Sequence, residues 1–183
     1  MKVIFLDIDG VLVNRESLKR GGGLRAKAWP SCVAALNTIT DSTGAAIVVS
    51  STWRYYFDLY GMGDKLKSWG VKGEVIGATE DLSRKSGVLY EAIQRGDEIQ
   101  SWLDGALFHI GEDVESFVIL DDDSDMKHLL PNLIATKFES GLTMEDAAKA
   151  ISLLSTNVKS SEQPSTPKRV SSQTDGKAQS SAS

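Results

Sequence analysis

The sequence predicts an α/β fold: a doubly wound, mainly parallel sheet of five strands with helices on both faces. Three observations carry that expectation. Short apolar runs alternate with segments of helical periodicity, the pattern of a parallel sheet covered on both sides. The first run, Val3 to Leu6, reads as a buried strand, yet it ends in two carboxylates one residue apart, Asp7 and Asp9, followed by Gly10. Further polar residues follow the later runs, as they do where an open α/β sheet binds ligands beyond the carboxyl ends of its strands.

Taken in order, the strand-like runs are Lys2–Leu6, Ala46–Val49, Glu74–Gly77, Phe117–Leu120 and a weaker Leu133–Thr136, an arrangement of the Rossmann-like kind. Ser31 is placed to cap a helix with Val33, Leu36 and Ile39 on one face. A second helical segment runs from Glu98 to Leu103 and carries Ile99, Trp102 and Leu103. In a third, Thr143 and Asp146 make a capping pattern ahead of Ala147, Ile151 and Leu154. Residues 156–183 are mostly Ser, Thr, Gln, Pro, Lys and Gly, with almost nothing to bury, and read as a disordered tail. The tail's four bases (Lys159, Lys168, Arg169, Lys177) against two acids (Glu162, Asp175) leave a net −7 on residues 1–155 of a chain whose total is −5.

A chain of 183 residues suffices for one domain with a real core. Its negative charge argues against general nucleic-acid or membrane-surface binding, though not against local recognition. A single cysteine, Cys32, excludes an internal disulfide and a thiolate cluster. His109, read as a loop or strand end, and His128, read as surface helix, are too far apart in sequence to suggest a His-rich zinc site, and neither is given a role. Asp7 and Asp9 interrupt the N-terminal apolar run too early for a signal peptide, and no later stretch is long and apolar enough to span a bilayer. The expectation is a cytoplasmic protein.

The residues after the strands define the chemistry. They are Asp7 and Asp9; then Ser50, Ser51, Thr52 and Arg54; then Thr79 and Glu80; then Asp121, Asp122, Asp123 and Asp125. So many acids cannot gather near Asp7 and Asp9 without a cation. An oxygen-only ligand set suits Mg²⁺, which usually shares its coordination with a phosphate. In an extended chain, residues i and i+2 point the same way. One of the two carboxylates can therefore attack phosphorus while the other passes a proton to the leaving group. Gly10 lets the backbone turn sharply there. Asp123 and Asp125 read equally as metal ligands or as acids at a helix start. Arg54 reads as a substrate contact or an ion-pair partner, and Trp53 and Tyr55 as core packing or as a stacking surface.

The motifs "DIDGV", "VVSS" and "ILDDD", each closing an apolar strand and in this order, resemble the haloacid dehalogenase (HAD) phosphatase superfamily across Met1 to Leu154. The stretches "VVSSTWR", "RGDEIQSWL", "ILDDDSDM" and "GLTMEDA" are most similar to the small HAD domains associated with RNA-repair enzymes. The resemblance implies a HAD-like domain over residues 1–155, with 156–183 as the tail. It implies Asp7 as nucleophile, forming an aspartyl-phosphate, and Asp9 as general acid and then base. Ser50, with Ser51 beside it, would bind the phosphoryl oxygens. Asp122 would bind Mg²⁺ with Asp7 and the Asp9 backbone carbonyl, with Asp121 alongside. A base should stabilise charge on the transferring group; Arg95, opening the helix before the fourth strand, is the choice, with Lys85 and Arg84 as competitors.

Neither the gap from Val13 to Ser31 nor that from Thr79 to Gln94 is long enough for a large cap domain. An open site suits a large substrate, such as a nucleic-acid 3′-phosphate end or a phosphoprotein. The first gap holds "RGGG", read as a flap, and gathers Arg15, Lys19, Arg20, Arg25 and Lys27 against Glu16. Such a patch can hold a polyanion beside the chemistry or be a set of solvated loop charges. Alternative readings are a phosphoprotein or small-metabolite phosphatase and a non-catalytic, receiver-like phosphate-binding module. A receiver places its acceptor Asp after the third strand, where this chain has "IGATED". A Toprim-type nuclease wants Glu after its first strand, where this chain has Asp7.

Overall fold

A computed structural model of the protein describes residues 1–86 and 93–155; the segment read as a tail, 156–183, lies outside them. Five strands, β1 (Lys2–Leu6), β2 (Ala46–Val49), β3 (Val75–Ala78), β4 (Ser116–Asp121) and β5 (Leu133–Ala135), form one sheet in the order β3-β2-β1-β4-β5. Every pairing is parallel, so the Rossmann-like sheet expected to be mainly parallel is wholly so. The third strand sits one residue later than expected, where the register against β2 shifts between Ile47 and Val48.

The strands are apolar throughout because both faces of the sheet are buried. Ile4 and Leu6 of β1 pack with residues of α2 (Pro30–Thr43), α3 (Leu59–Ser68) and α7 (Met144–Ser155). Val3 and Phe5 face the other way, toward α5 (Arg95–Asp104) and α6 (Ala106–Ile110). Phe5 meets Trp102 and Phe117 edge-on at 5.4 and 5.8 Å. His109 thus falls within α6, and His128 lies exposed in a 3-10 turn, Lys127–Asn132.

The capping box before α7 forms as expected: Thr143 N–H donates to Asp146 Oδ2 at 3.1 Å and Asp146 N–H to Thr143 Oγ1 at 3.2 Å. The Ser31 cap does not form. Pro30 takes the first helical position and Trp29 precedes it, because a proline's missing N–H and fixed φ suit that place better than any other. Among the described residues, β1 and α2 are joined by only the short α1 (Arg15–Arg20) and a 3-10 turn, and β3 and α5 by only α4 (Leu82–Ser86). No large cap is evident. The strand order reverses between β1 and β4, which opens a crevice at their carboxyl ends.

Candidate active site

Asp7 follows the last residue of β1, and its N–H donates to Leu120 O at 3.0 Å, which fixes it against β4. Asp121 closes β4 and is 1% exposed. Oxygens of Asp7, Asp121 and Asp122 lie within 4.8 Å of one another. Gly10 makes room for that cluster. Its φ is +74°, and a Cβ there would stand 2.2 Å from the Asp122 carboxyl, so the loop after β1 can pass this close only as glycine. Thr136, just after β5, buttresses the loop: its hydroxyl donates to Gly10 O at 2.8 Å and its N–H to Asp121 O at 2.9 Å.

Three crowded carboxyls are electrostatically expensive. Burial, and then the charge of Asp7, pushes Asp121 up to about 7. Burial also raises Asp7, against the pull of Arg95, and it raises Asp122, with Asp123 adding to the effect. Asp121 Oδ2 is buried without a hydrogen-bond partner. An oxygen-only set of this kind, short of positive charge, fits a hard divalent cation.

Arg95 supplies part of the missing charge. Its Nη1 donates to Asp7 Oδ1 at 3.4 Å, and its Nε lies 3.8 Å from Asp121 Oδ2. The helix that carries it is pinned at its first turn. Arg95 N–H donates to Asp125 Oδ2 at 3.0 Å and Gly96 N–H to Asp125 O at 3.1 Å. A Cβ on Gly96 would lie 2.5 Å from Met126 O, so the contact requires glycine.

Ser50 and Ser51 follow β2, fully buried, with Ser50 N–H donating to Leu6 O at 2.9 Å. The Ser51 hydroxyl beside Asp7 offsets part of the burial that raises that carboxyl. The 3-10 turn that follows, Thr52–Tyr55, carries two buried side chains with different partners. Trp53 Nε1–H donates to Asp9 Oδ2 at 2.8 Å. Arg54 Nη2 pairs with Glu98 Oε2 at 2.6 Å, and its Nη1 donates to Ser50 O and Ser51 O, each at 3.1 Å. A polar cavity of about 180 Å³ opens here, bordered by Thr52, Arg54, Arg95, Glu98, Asp123 and Asp125. Among the described residues, the buried side-chain polar atoms without a partner belong to Ser50, Arg54, Thr79, Asp121 and Asp125. All five residues lie at or beyond the carboxyl ends of β2, β3 and β4. Such orphans cluster where a ligand or water completes a site.

A family model described as the HAD domain in Swiss Army Knife RNA repair proteins matches residues 3–147. The chain belongs to this family. No curated protein and no solved structure gives a significant match. HAD membership suggests a phosphatase, and HAD domains generally use a metal ion, for which Asp7, Asp121 and Asp122 form a ready cluster. Among the described residues of this HAD domain, no helix is long and apolar enough to cross a membrane.

The HAD domain brings most of the residues expected from sequence to one crevice. Asp7, Asp121 and Asp122 meet directly, with Arg95 and Ser51 on Asp7. The Asp9 side chain is engaged by Trp53. Arg84 is drawn outward: it is 81% exposed, 4.0 Å from Asp81 and over the Tyr55 ring. The Lys85 side chain lies outside the described residues. Arg54 pairs with an acid rather than standing free, and Trp53 is packed rather than presented. Asp125 does sit at a helix start, but of α5, which precedes it in the chain; Asp123 is exposed. Three partnerships went unread in the sequence: Trp53 with Asp9, Glu98 with Arg54, and Asp125 with Arg95. Each joins segments at least 30 residues apart, and no local spacing announces it.

Proposed function

We propose that this HAD domain is a Mg²⁺-dependent phosphomonoesterase that works through an aspartyl-phosphate on Asp7 and acts on a phosphorylated nucleic-acid end, with a 3′-phosphate as the leading substrate. The observation that carries the reading is the meeting of Asp7 with Arg95, Ser51, Asp121 and Asp122 at the β1/β4 crevice. An Asp7 carboxylate oxygen attacks phosphorus and the ester P–O bond breaks, while Asp9 gives its proton to the departing oxygen. Water then attacks the phosphorus of the acyl phosphate as Asp9 takes its proton, releasing inorganic phosphate and restoring Asp7. Ser50 and Ser51 hydrogen-bond the phosphoryl oxygens, and Arg95 balances charge that builds on them. Mg²⁺ held by Asp7, Asp122 and the Asp9 carbonyl, with Asp121 beside them, would offset the acids and let a phosphate dianion approach.

Three features support a large nucleic-acid substrate. Among the described residues no large cap covers the crevice, and the family is described from RNA repair proteins. In addition, the flap forms a cavity of about 220 Å³ whose walls include Arg20, Arg25, Lys27 and Trp29. Arg15 and Lys19 drop out of that patch because they pair with Glu139 at 3.0 Å and Glu16 at 2.6 Å.

The test is phosphate release with Mg²⁺ from 3′-phosphorylated RNA, 5′-phosphorylated RNA, a phosphotyrosine peptide and an aryl phosphate, for wild type and Asp7→Asn. Turnover that Asp7→Asn abolishes, highest on a phosphorylated RNA end, is expected. Changing Arg20, Arg25 and Lys27 to Glu should cost more on RNA than on the aryl phosphate. Preference for the peptide or the aryl phosphate would replace the substrate with a phosphoprotein or a small metabolite. No turnover by the folded protein would leave a phosphate-binding module.

A further inference from the structure

Trp53 is 3% exposed, and its ring is held on several sides. Phe57 stacks on it at 6.1 Å and 17°, Trp69 meets it edge-on at 5.5 Å, and the Lys65 ammonium lies 5.9 Å from its centroid. Its backbone N–H donates to Ser51 Oγ at 3.4 Å, so the ring is also anchored to the end of β2. A ring fixed this firmly has one polar atom to offer, and that atom donates to Asp9 Oδ2 at 2.8 Å. The stacking and edge contacts are made by the ring itself and do not require the N–H. An indole donates one hydrogen bond and carries no charge. It can therefore fix one carboxylate oxygen without pairing the group off, as an arginine would.

We propose that Trp53 is a positioning residue: it anchors Oδ2 of Asp9 so that the other oxygen, Oδ1, is the one that exchanges a proton with the leaving group. The inference rests on the reading of Asp9 as acid and base given above. An aspartate at a loop turn otherwise samples several rotamers, and proton transfer is efficient only from a held geometry.

The experiment compares kcat/KM, which covers the steps up to departure of the leaving group, on two substrates with Mg²⁺. One is an alkyl phosphate, whose poor leaving group needs a proton. The other is 4-nitrophenyl phosphate, whose leaving group hardly does. Asp9→Asn should lose ~10²–10⁴-fold on the alkyl phosphate and far less on the aryl one. Trp53→Phe, which deletes the N–H and keeps an aromatic ring, should show the same asymmetry in weaker form, about 10-fold or more against less than about 3-fold. Equal losses on both substrates, or none, would mean that Trp53 only packs. If Asp9→Asn itself fails to discriminate, the assignment of Asp9 falls and takes the inference with it. A second measurement does not depend on the Phe variant folding. With ¹⁵N-labelled tryptophan, one of the four indole N–H resonances should move upfield in Asp9→Asn. An unmoved set would overturn the proposal.

Discussion

Arg54 and Arg95 reach the same edge of the sheet, one from the turn after β2 and one from the first turn of α5, and their surroundings separate scaffold from chemistry. Arg54 is closed in. Two carbonyls accept from one terminal nitrogen, and Glu98, only 8% exposed on its side chain, sits 2.6 Å from the other. Among the described residues the Arg95 guanidinium has long contacts, 3.4 Å to Asp7 and 3.8 Å to Asp121, and neither is ideal. A cation whose two terminal nitrogens are both engaged at short range by the protein holds structure together. One with stretched partners, facing crowded carboxylates, can shift its hydrogen bonds to an incoming phosphate. The same helix joins the two roles, since Glu98 stands one turn beyond Arg95.

The sharpest way to break this contrast is Arg95→Ala. Loss of a preorganised donor from a site of developing charge should lower kcat by ~10²–10³, with the fold retained in Mg²⁺. Steady-state kinetics and thermal melting of the same sample would check it. A variant that melts early but turns over normally would place Arg95 with the scaffold instead. Glu98→Gln should act the other way. It leaves the Arg54 charge buried and unpaired, at a cost of about 3 kcal/mol in unfolding free energy. Its kcat per folded molecule should fall far less than that of Arg95→Ala. Urea unfolding together with active-site-normalised turnover would measure both effects.

The contrast also explains what could be read from sequence. The strands were legible because each is a short apolar run with no competing pattern, and β1 and β2 fall where the runs do. Asp7, Asp121 and Asp122 were legible because strand ends in a parallel sheet must share an edge. What holds the start of α5 was not. The helix opens at Arg95, as expected, but its first turn is Arg-Gly-Asp, a poor helical sequence taken alone. It is held there by Asp97 reaching back to Gln94 N–H at 3.0 Å and by Asp125 arriving from beyond β4. The roles of Arg54 and Trp53 were hidden for a related reason: an arginine and a tryptophan after a strand look the same whether their partners lie in the substrate or in the protein.

The most gradual effect, spread over several pH units, concerns the acids that Arg95 only partly neutralises. In the folded protein Asp121 is raised to about 7 from 3.8, and Asp7 and Asp122 are raised as well, with burial the leading cause in each. Between those limits the folded chain therefore holds protons that the unfolded chain has released. Stability must then fall as pH rises from about 4 toward 7, by up to about 1.4 kcal/mol per pH unit for Asp121, with Asp7 and Asp122 adding in the same direction. Asp81 and Asp97 are held low and change stability only as pH drops through the acid range, so they do not mask the slope. With chelator present, the unfolding midpoint in urea should decline from pH 5 to 7.5. Saturating Mg²⁺ should remove the decline, because a bound cation favours the ionised carboxylates. Arg95→Ala should steepen the metal-free slope, since it removes a cation that opposes the raised values of both Asp7 and Asp121. Glu98 is also raised by burial, so Glu98→Gln removes one proton-holding group and should flatten the slope, which would separate the two arginines by the shape of a stability profile as well as by rate.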